Sequence, residues 1–102
     1  MAWFVKTETF TAETSALSIE QRRPFLEAHR HWLDQHIGLG RRIRSGFLVD
    51  DQRRPGGGGL LIFQASSYAD ALAWVRQDPM IVEGLVAWQL QEWIPVSGDD
   101  WP

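Results

Sequence analysis

The chain contains no cysteine, which excludes disulfides, thiolate metal sites and a cysteine nucleophile. That absence fits a reducing cytoplasm, the compartment expected here. No apolar run approaches the roughly 20 residues a helix needs to span a bilayer, so no membrane partner is expected. The first residues, Met1-Ala2-Trp3-Phe4-Val5, carry neither a basic n-region nor a cleavage site and read as a strand rather than a signal peptide. Positive charge is also short. The net charge is −3, which argues against a nucleic-acid partner. What remains is an ordinary globular composition, 44% hydrophobic and 23% charged in 102 residues, enough for one domain and one core.

The two hydrophobic periods alternate along the chain without an interdomain linker. Trp3 to Phe10 is rich in aromatic and β-branched residues and reads as a strand. Ser18 with Gln21 three residues later forms a capping box for a helix running to about Ile37, where Gly38 and Gly40 end it. A second strand spans Arg42 to Val49, followed by a polar turn over Asp50 to Gly59 and a third strand over Leu60 to Gln64. Ser66 or Ser67 caps a second helix that runs through Arg76, and Leu85 to Ile94 forms the fourth strand. Residues 1–96 are thus one domain and 97–102 a polar tail. The order is βαββαβ, a ferredoxin-like α+β fold with a four-stranded antiparallel sheet and two helices on one face. Neither Leu60-Leu61-Ile62-Phe63 nor Trp3-Phe4-Val5 alternates, so both sheet faces call for burial. The second face is expected to pack against another copy, giving a homodimer through the sheet.

On a helical wheel Phe25, Leu26, His29, Trp32, Leu33 and His36 share one broad stripe, with His31 near the polar side. A histidine in an apolar stripe has two readings, a core ring held by a backbone carbonyl or a ring placed for chemistry. His36 lies near the helix end, where the dipole favours an imidazolium. His29 and His36 are two turns apart, about 10 Å along the axis, too far for one ion, so no metal site is expected. Asp78 precedes Pro79-Met80-Ile81-Val82 and suits an N-cap. A capping carboxylate keeps a second oxygen free. If the fold joins Asp78 to His29, the pair forms a dyad suited to proton transfer. The test is a ring nitrogen within about 3.2 Å of a carboxylate oxygen, with the other nitrogen open to a cavity.

The run Ala28-His29-Arg30-His31-Trp32-Leu33, with Gly40 eleven residues after His29 and Ser45-Gly46 beyond, resembles the YciI-like (YCII-related) proteins. So does Gln77-Asp78-Pro79-Met80-Ile81-Val82-Glu83-Gly84-Leu85, which is similar to that family's Asp-Pro segment leading to the last strand. The resemblance spans nearly the whole chain. It implies a dimeric α+β barrel and a His–Asp active site at His29 and Asp78. Phe47 departs from the pattern, which often has Pro there, and Arg53 to Gly59 looks like a local elaboration. A dehydrochlorinase acting on a chlorinated hydroxyquinol is the kind of chemistry seen among relatives. For such a substrate Phe25 and Trp32 flank His29, and Trp3 or Trp88 reaches the same pocket from the sheet. Aromatics at core spacing serve packing more often than ligands.

Nine of the ten basic residues are Arg, and Arg41, Arg42, Arg44, Arg53 and Arg54 surround the second strand. They read either as an anion clamp or as a solvated edge balanced by Asp50 and Asp51. The glycines Gly56 to Gly59 lack the Lys-Ser/Thr of a phosphate loop and read as a flexible hairpin tip or lid. The expected function is a cofactor-independent enzyme using His29 and Asp78 for isomerisation, elimination or hydrolysis of a small cyclic or unsaturated oxygenated metabolite. The rival is a non-catalytic ligand-binding or structural homodimer, and cofactor-free oxygenation is a third possibility by fold analogy.

Overall fold

A computed structural model describes residues 1–100. In chain order the elements are β1 (Ala2–Phe10), α1 (Ala12–Ala16), α2 (Ile19–Gly38), β2 (Ile43–Val49), β3 (Pro55–Ala65), α3 (Tyr68–Val75), α4 (Pro79–Val82) and β4 (Val86–Trp93). Local chemistry accounts for the helix starts. Ser18 and Gln21 close the expected capping box on α2, and Ser67 accepts the Asp70 amide at the start of α3. Asp78 caps α4 with Pro79 in the first turn. The single turn α1, capped by Thr11, is too short to leave a periodic signature and escapes sequence reading.

The sheet order is β2-β3-β1-β4, with every neighbouring pair antiparallel. This is the ferredoxin-like α+β arrangement, with the two short helices added. Strand alternation divides the residues between two faces. Phe4, Lys6 and Glu8 of β1 share a face with Leu61, Phe63, Leu90 and Trp88, and this face carries α2 and α3. Trp32 and Leu33 of α2 and Ala71, Trp74 and Val75 of α3 complete a core with Phe4, Leu61, Phe63 and Leu90. Leu26 departs from the expected stripe and is exposed, whereas His31 is solvated as expected. The opposite face presents Trp3, Val5, Leu60, Ile62 and Trp93.

The glycines are not at a hairpin tip. The tip is Asp50 to Arg54, where the Asp50 carboxylate accepts the Gln52 and Arg54 amides. Gly56 to Gly59 instead belong to β3, with Gly58 opposite Thr9 and Gly59 opposite Glu8. A bulge between the Phe47 and Val49 pairings accommodates the extra residues. Gly57 has φ +78°, and a Cβ there would meet the Phe10 ring at 3.0 Å. Glycine is needed there for backbone conformation and for space, not for mobility. The polar tail is described as far as Asp100, and residues 101 and 102 lie outside the described residues.

Phe63 is fully buried, with its ring 5.9 Å from Phe4 and 4.6 Å from Trp74. Phe63→Ala is expected to cost about 3–5 kcal/mol of stability. Urea unfolding followed by tryptophan fluorescence checks this.

Candidate active site

Four side chains from three parts of the chain converge between the sheet and α2. Lys6 and Glu8 come from β1, His29 from α2 and Asp78 from the segment between α3 and α4. The expected contact is present: His29 Nδ1 lies 2.8 Å from Asp78 Oδ1. The same oxygen accepts the Met80 amide at 2.9 Å, so capping and ring orientation coexist on one carboxylate. Asp78 Oδ2 accepts from Lys6 Nζ at 2.8 Å, and both side chains are fully buried. His29 is held by this carboxylate and not by a backbone carbonyl.

This arrangement assigns protons. Burial alone would raise the Asp78 pKa, but the His29 hydrogen bond and the charges of Lys6 and His29 outweigh it, holding the carboxyl below its ordinary 3.8. Ionised Asp78 only accepts, so His29 Nδ1 must carry the hydrogen. A neutral imidazole then keeps its lone pair on Nε2, which makes no hydrogen bond among the described residues. The ring is about one-fifth exposed, at 19%.

Lys6 and Glu8 were not singled out from the sequence, although a signal existed. They fall on the same strand parity as Phe4, so any core-facing Phe4 turns both charges inward. Lys6 is also the only lysine in a chain of arginines. Its ammonium lies 3.4 Å from Glu8 Oε1, so one cation serves two carboxylates. Glu8 lies over Gly59, where a Cβ would come within 3.1 Å of Oε1 and 3.2 Å of Cγ. Single ligand-type atoms of Glu8, His29 and Asp78 lie within 4.8 Å of one another, a metal-like set the sequence did not suggest. In this geometry Lys6 already occupies the cation's role, and a divalent ion would have to displace it.

The expected aromatic partners divide. Trp32 is buried against Trp74, centroids 4.6 Å apart, and its ring centre lies 6.4 Å from that of His29. Its indole N–H is buried without a hydrogen-bond partner among the described residues. Phe25, one turn before His29, is half-buried. Trp88 pairs across from Glu8 on the helix-bearing face. Trp3 does not join this group. The pleat places it on the opposite face, so within one chain it cannot reach the His29 pocket. His36 accepts from Trp74 Nε1 at 3.2 Å, a packing role.

The arginines likewise find local partners. Arg41 donates to the Gln64 carbonyl and lies 4.3 Å from the Trp74 ring centre, while Arg42 covers Trp3. Arg54 pairs with Asp50. Trp3, Arg41, Arg42, Ile43 and Arg44 line a recess of about 220 Å³ that shares no residue with the His29 cluster.

Fold and site together define a small ferredoxin-like α+β protein with a buried Lys–Asp–His cluster under its helices. The profile of the YCII-related domain matches residues 4–94, and the chain belongs to that family. Among solved structures it is similar to a 5-chloro-2-hydroxyhydroquinone dehydrochlorinase from Burkholderia phenoliruptrix, in complex with 2,5-dihydroxybenzoquinone. Identity is 21%, the TM-score 0.67, and the match covers 90% of this chain and 93% of that one. No curated protein sequence matches the chain. No helix among the described residues is long and apolar enough to cross a membrane.

Lys6→Met should leave Glu8 and Asp78 without their shared ammonium and cost about 3–5 kcal/mol at neutral pH, a penalty that shrinks in acid as Asp78 protonates. Chemical unfolding at several pH values measures it. The depressed Asp78 pKa adds stability that is complete above 3.8 and is lost as pH falls through the lower folded-state value. Thermal melts of Asp78→Asn should therefore show a flatter acid limb than the wild type.

Proposed function

We propose that this chain is a cofactor-independent enzyme in which His29 moves a proton on a small cyclic or unsaturated oxygenated metabolite. Asp78 is the positioning residue. The observation that carries this reading is the 2.8 Å bond between His29 Nδ1 and Asp78 Oδ1, because it leaves Nε2 as the proton acceptor. When Nε2 takes a proton, the imidazolium that forms is stabilised by the Asp78 carboxylate, which Lys6 and the Met80 amide hold in place. Isomerisation, elimination and hydrolysis share this step and differ in where the proton goes next. The likeness to a dehydrochlorinase supports elimination, in which His29 removes a proton as chloride leaves from the neighbouring carbon. Phe25, Trp32 and Trp88 are the aromatic candidates for the pocket wall. The cytoplasm, a reducing compartment, suits a chain without cysteine.

One observation favours a second reading. Asp78 caps α4 and neutralises buried Lys6, and a non-catalytic ligand-binding or structural protein would keep both contacts for folding alone. His29→Ala separates the two. It should lower turnover by at least about a hundredfold while the circular dichroism spectrum stays native. Candidate substrates come from a thermal-shift screen of hydroxylated cyclic and unsaturated metabolites, since a binder raises apparent stability by mass action. Full activity in the variant defeats the enzymatic assignment.

We also propose that a second copy covers the open sheet face. Trp3, Val5, Leu60, Ile62 and Trp93 supply the apolar part of that face, among Thr7, Gln64, Gln89 and Gln91, with exposed Leu48 on the adjoining edge strand. Sheet-to-sheet packing of two such faces buries it without exposing a new edge. Light scattering should give a dimeric mass for the wild type and a monomeric mass for Val5→Glu. A monomeric wild type would refute the dimer.

A further inference from the structure

Glu8 is the member of the cluster to which neither folding nor the proton transfer assigns a complete role. Its Oε1 lies 3.4 Å from Lys6, but its Oε2 is buried and makes no hydrogen bond among the described residues. A buried acceptor without a donor is costly, and native structures rarely leave one unmet. The surroundings hold this atom in place. Gly59 leaves the space in which the side chain lies, and a Cβ there would crowd it, 3.1 Å from Oε1 and 3.2 Å from Cγ. Trp88 stands opposite on β4, and a ligand-type atom of His29 lies within 4.8 Å of a Glu8 carboxyl oxygen.

We infer that Glu8 Oε2 accepts a hydrogen bond from a hydroxyl group of the ligand and thereby selects hydroxylated substrates over their ethers. This rests on reading the His29 cluster as a ligand site. A carboxylate oxygen only accepts, so a ligand seated against it must bring a donor. An analogue whose hydroxyl is methylated leaves Oε2 unmet and adds bulk beside it, the situation in which polar sites discriminate strongly. Lys6 sharpens the selection by occupying the other oxygen, so the carboxylate cannot turn away from the ligand without losing an ion pair.

Glu8→Gln tests the assignment with little change of shape. Lys6 offers only donors, so the new amide turns its oxygen toward Lys6 and its NH2 group takes the place of Oε2. An acceptor has become a donor. The probes are hydroquinone and 1,4-dimethoxybenzene, with binding followed by the His29 ring resonances in NMR titrations. Wild type should bind hydroquinone and move those resonances, and Glu8→Gln should weaken that binding by at least about tenfold. The dimethoxy probe should bind more weakly than hydroquinone to wild type and be little affected by the substitution. Gly59→Ala, which pushes Glu8 aside without altering its charge, should weaken hydroquinone in the same direction and guards against misfolding of the first variant. Unchanged hydroquinone affinity in both variants, with the His29 shifts retained, overturns the role of Glu8 and leaves the proposed site standing. If hydroquinone leaves the His29 resonances of the wild type unmoved, both readings fail.

Discussion

Asp78 is a carboxylate with no exposed surface, and the arrangement of the whole site follows from the need to satisfy it. Its three donors come from three elements: Lys6 from the central strand β1, His29 from α2 and the Met80 amide from α4. A buried charge of this kind tolerates no missing partner, because desolvation is repaid only when the geometry is complete. The carboxylate therefore ties the helix layer to the sheet at a defined distance and rotation. The same constraint presets the imidazole tautomer. Structural necessity and chemical readiness here are two consequences of one ion, which is why capping alone is an incomplete account of Asp78.

The layer beside this cluster is unusually aromatic, and its internal contacts explain most of its tryptophans without a ligand. Trp32 stacks on Trp74, which packs at a tilt against Phe63, His36 accepts the Trp74 indole hydrogen, and Arg41 lies over the Trp74 ring. Such stacking fixes α2 against α3 and holds His29 at a set height above the sheet. Glu8 and Gly59 make the complementary adjustment from below. A glycine in β3 lets a long acidic side chain lie across the strand without pushing the sheet away from α2. Gly59 is thus part of the site's floor.

Much of the fold was legible in the residues. The capping box at Ser18 and Gln21, the Asp78-Pro79 helix start and the alternation of periods give the βαββαβ order, because these signals act over a few residues. Two features were misread for the same reason. Gly56 to Gly59 carry a turn composition, yet cross-strand pairing with Thr9 and Glu8 places them in β3. Helical spacing put Leu26 in the buried stripe, but the folded chain leaves it exposed.

The site was legible only in part. The sequence by itself determined that His29 faces inward, that Asp78 begins a helix, and that Lys6 and Glu8 share the strand parity of Phe4. Each is a local property, set by periods of 3.6 and 2 and by capping chemistry. Only the tertiary structure decided that these four residues meet and that Lys6 occupies the cation's place between two carboxylates. Those facts depend on strand order and on the packing of α2 over the sheet. His29 and Asp78 lie 49 positions apart, and Lys6 and Asp78 lie 72 apart. No rule of local spacing joins residues so distant, and their contact exists because a buried charge requires partners wherever the chain can supply them.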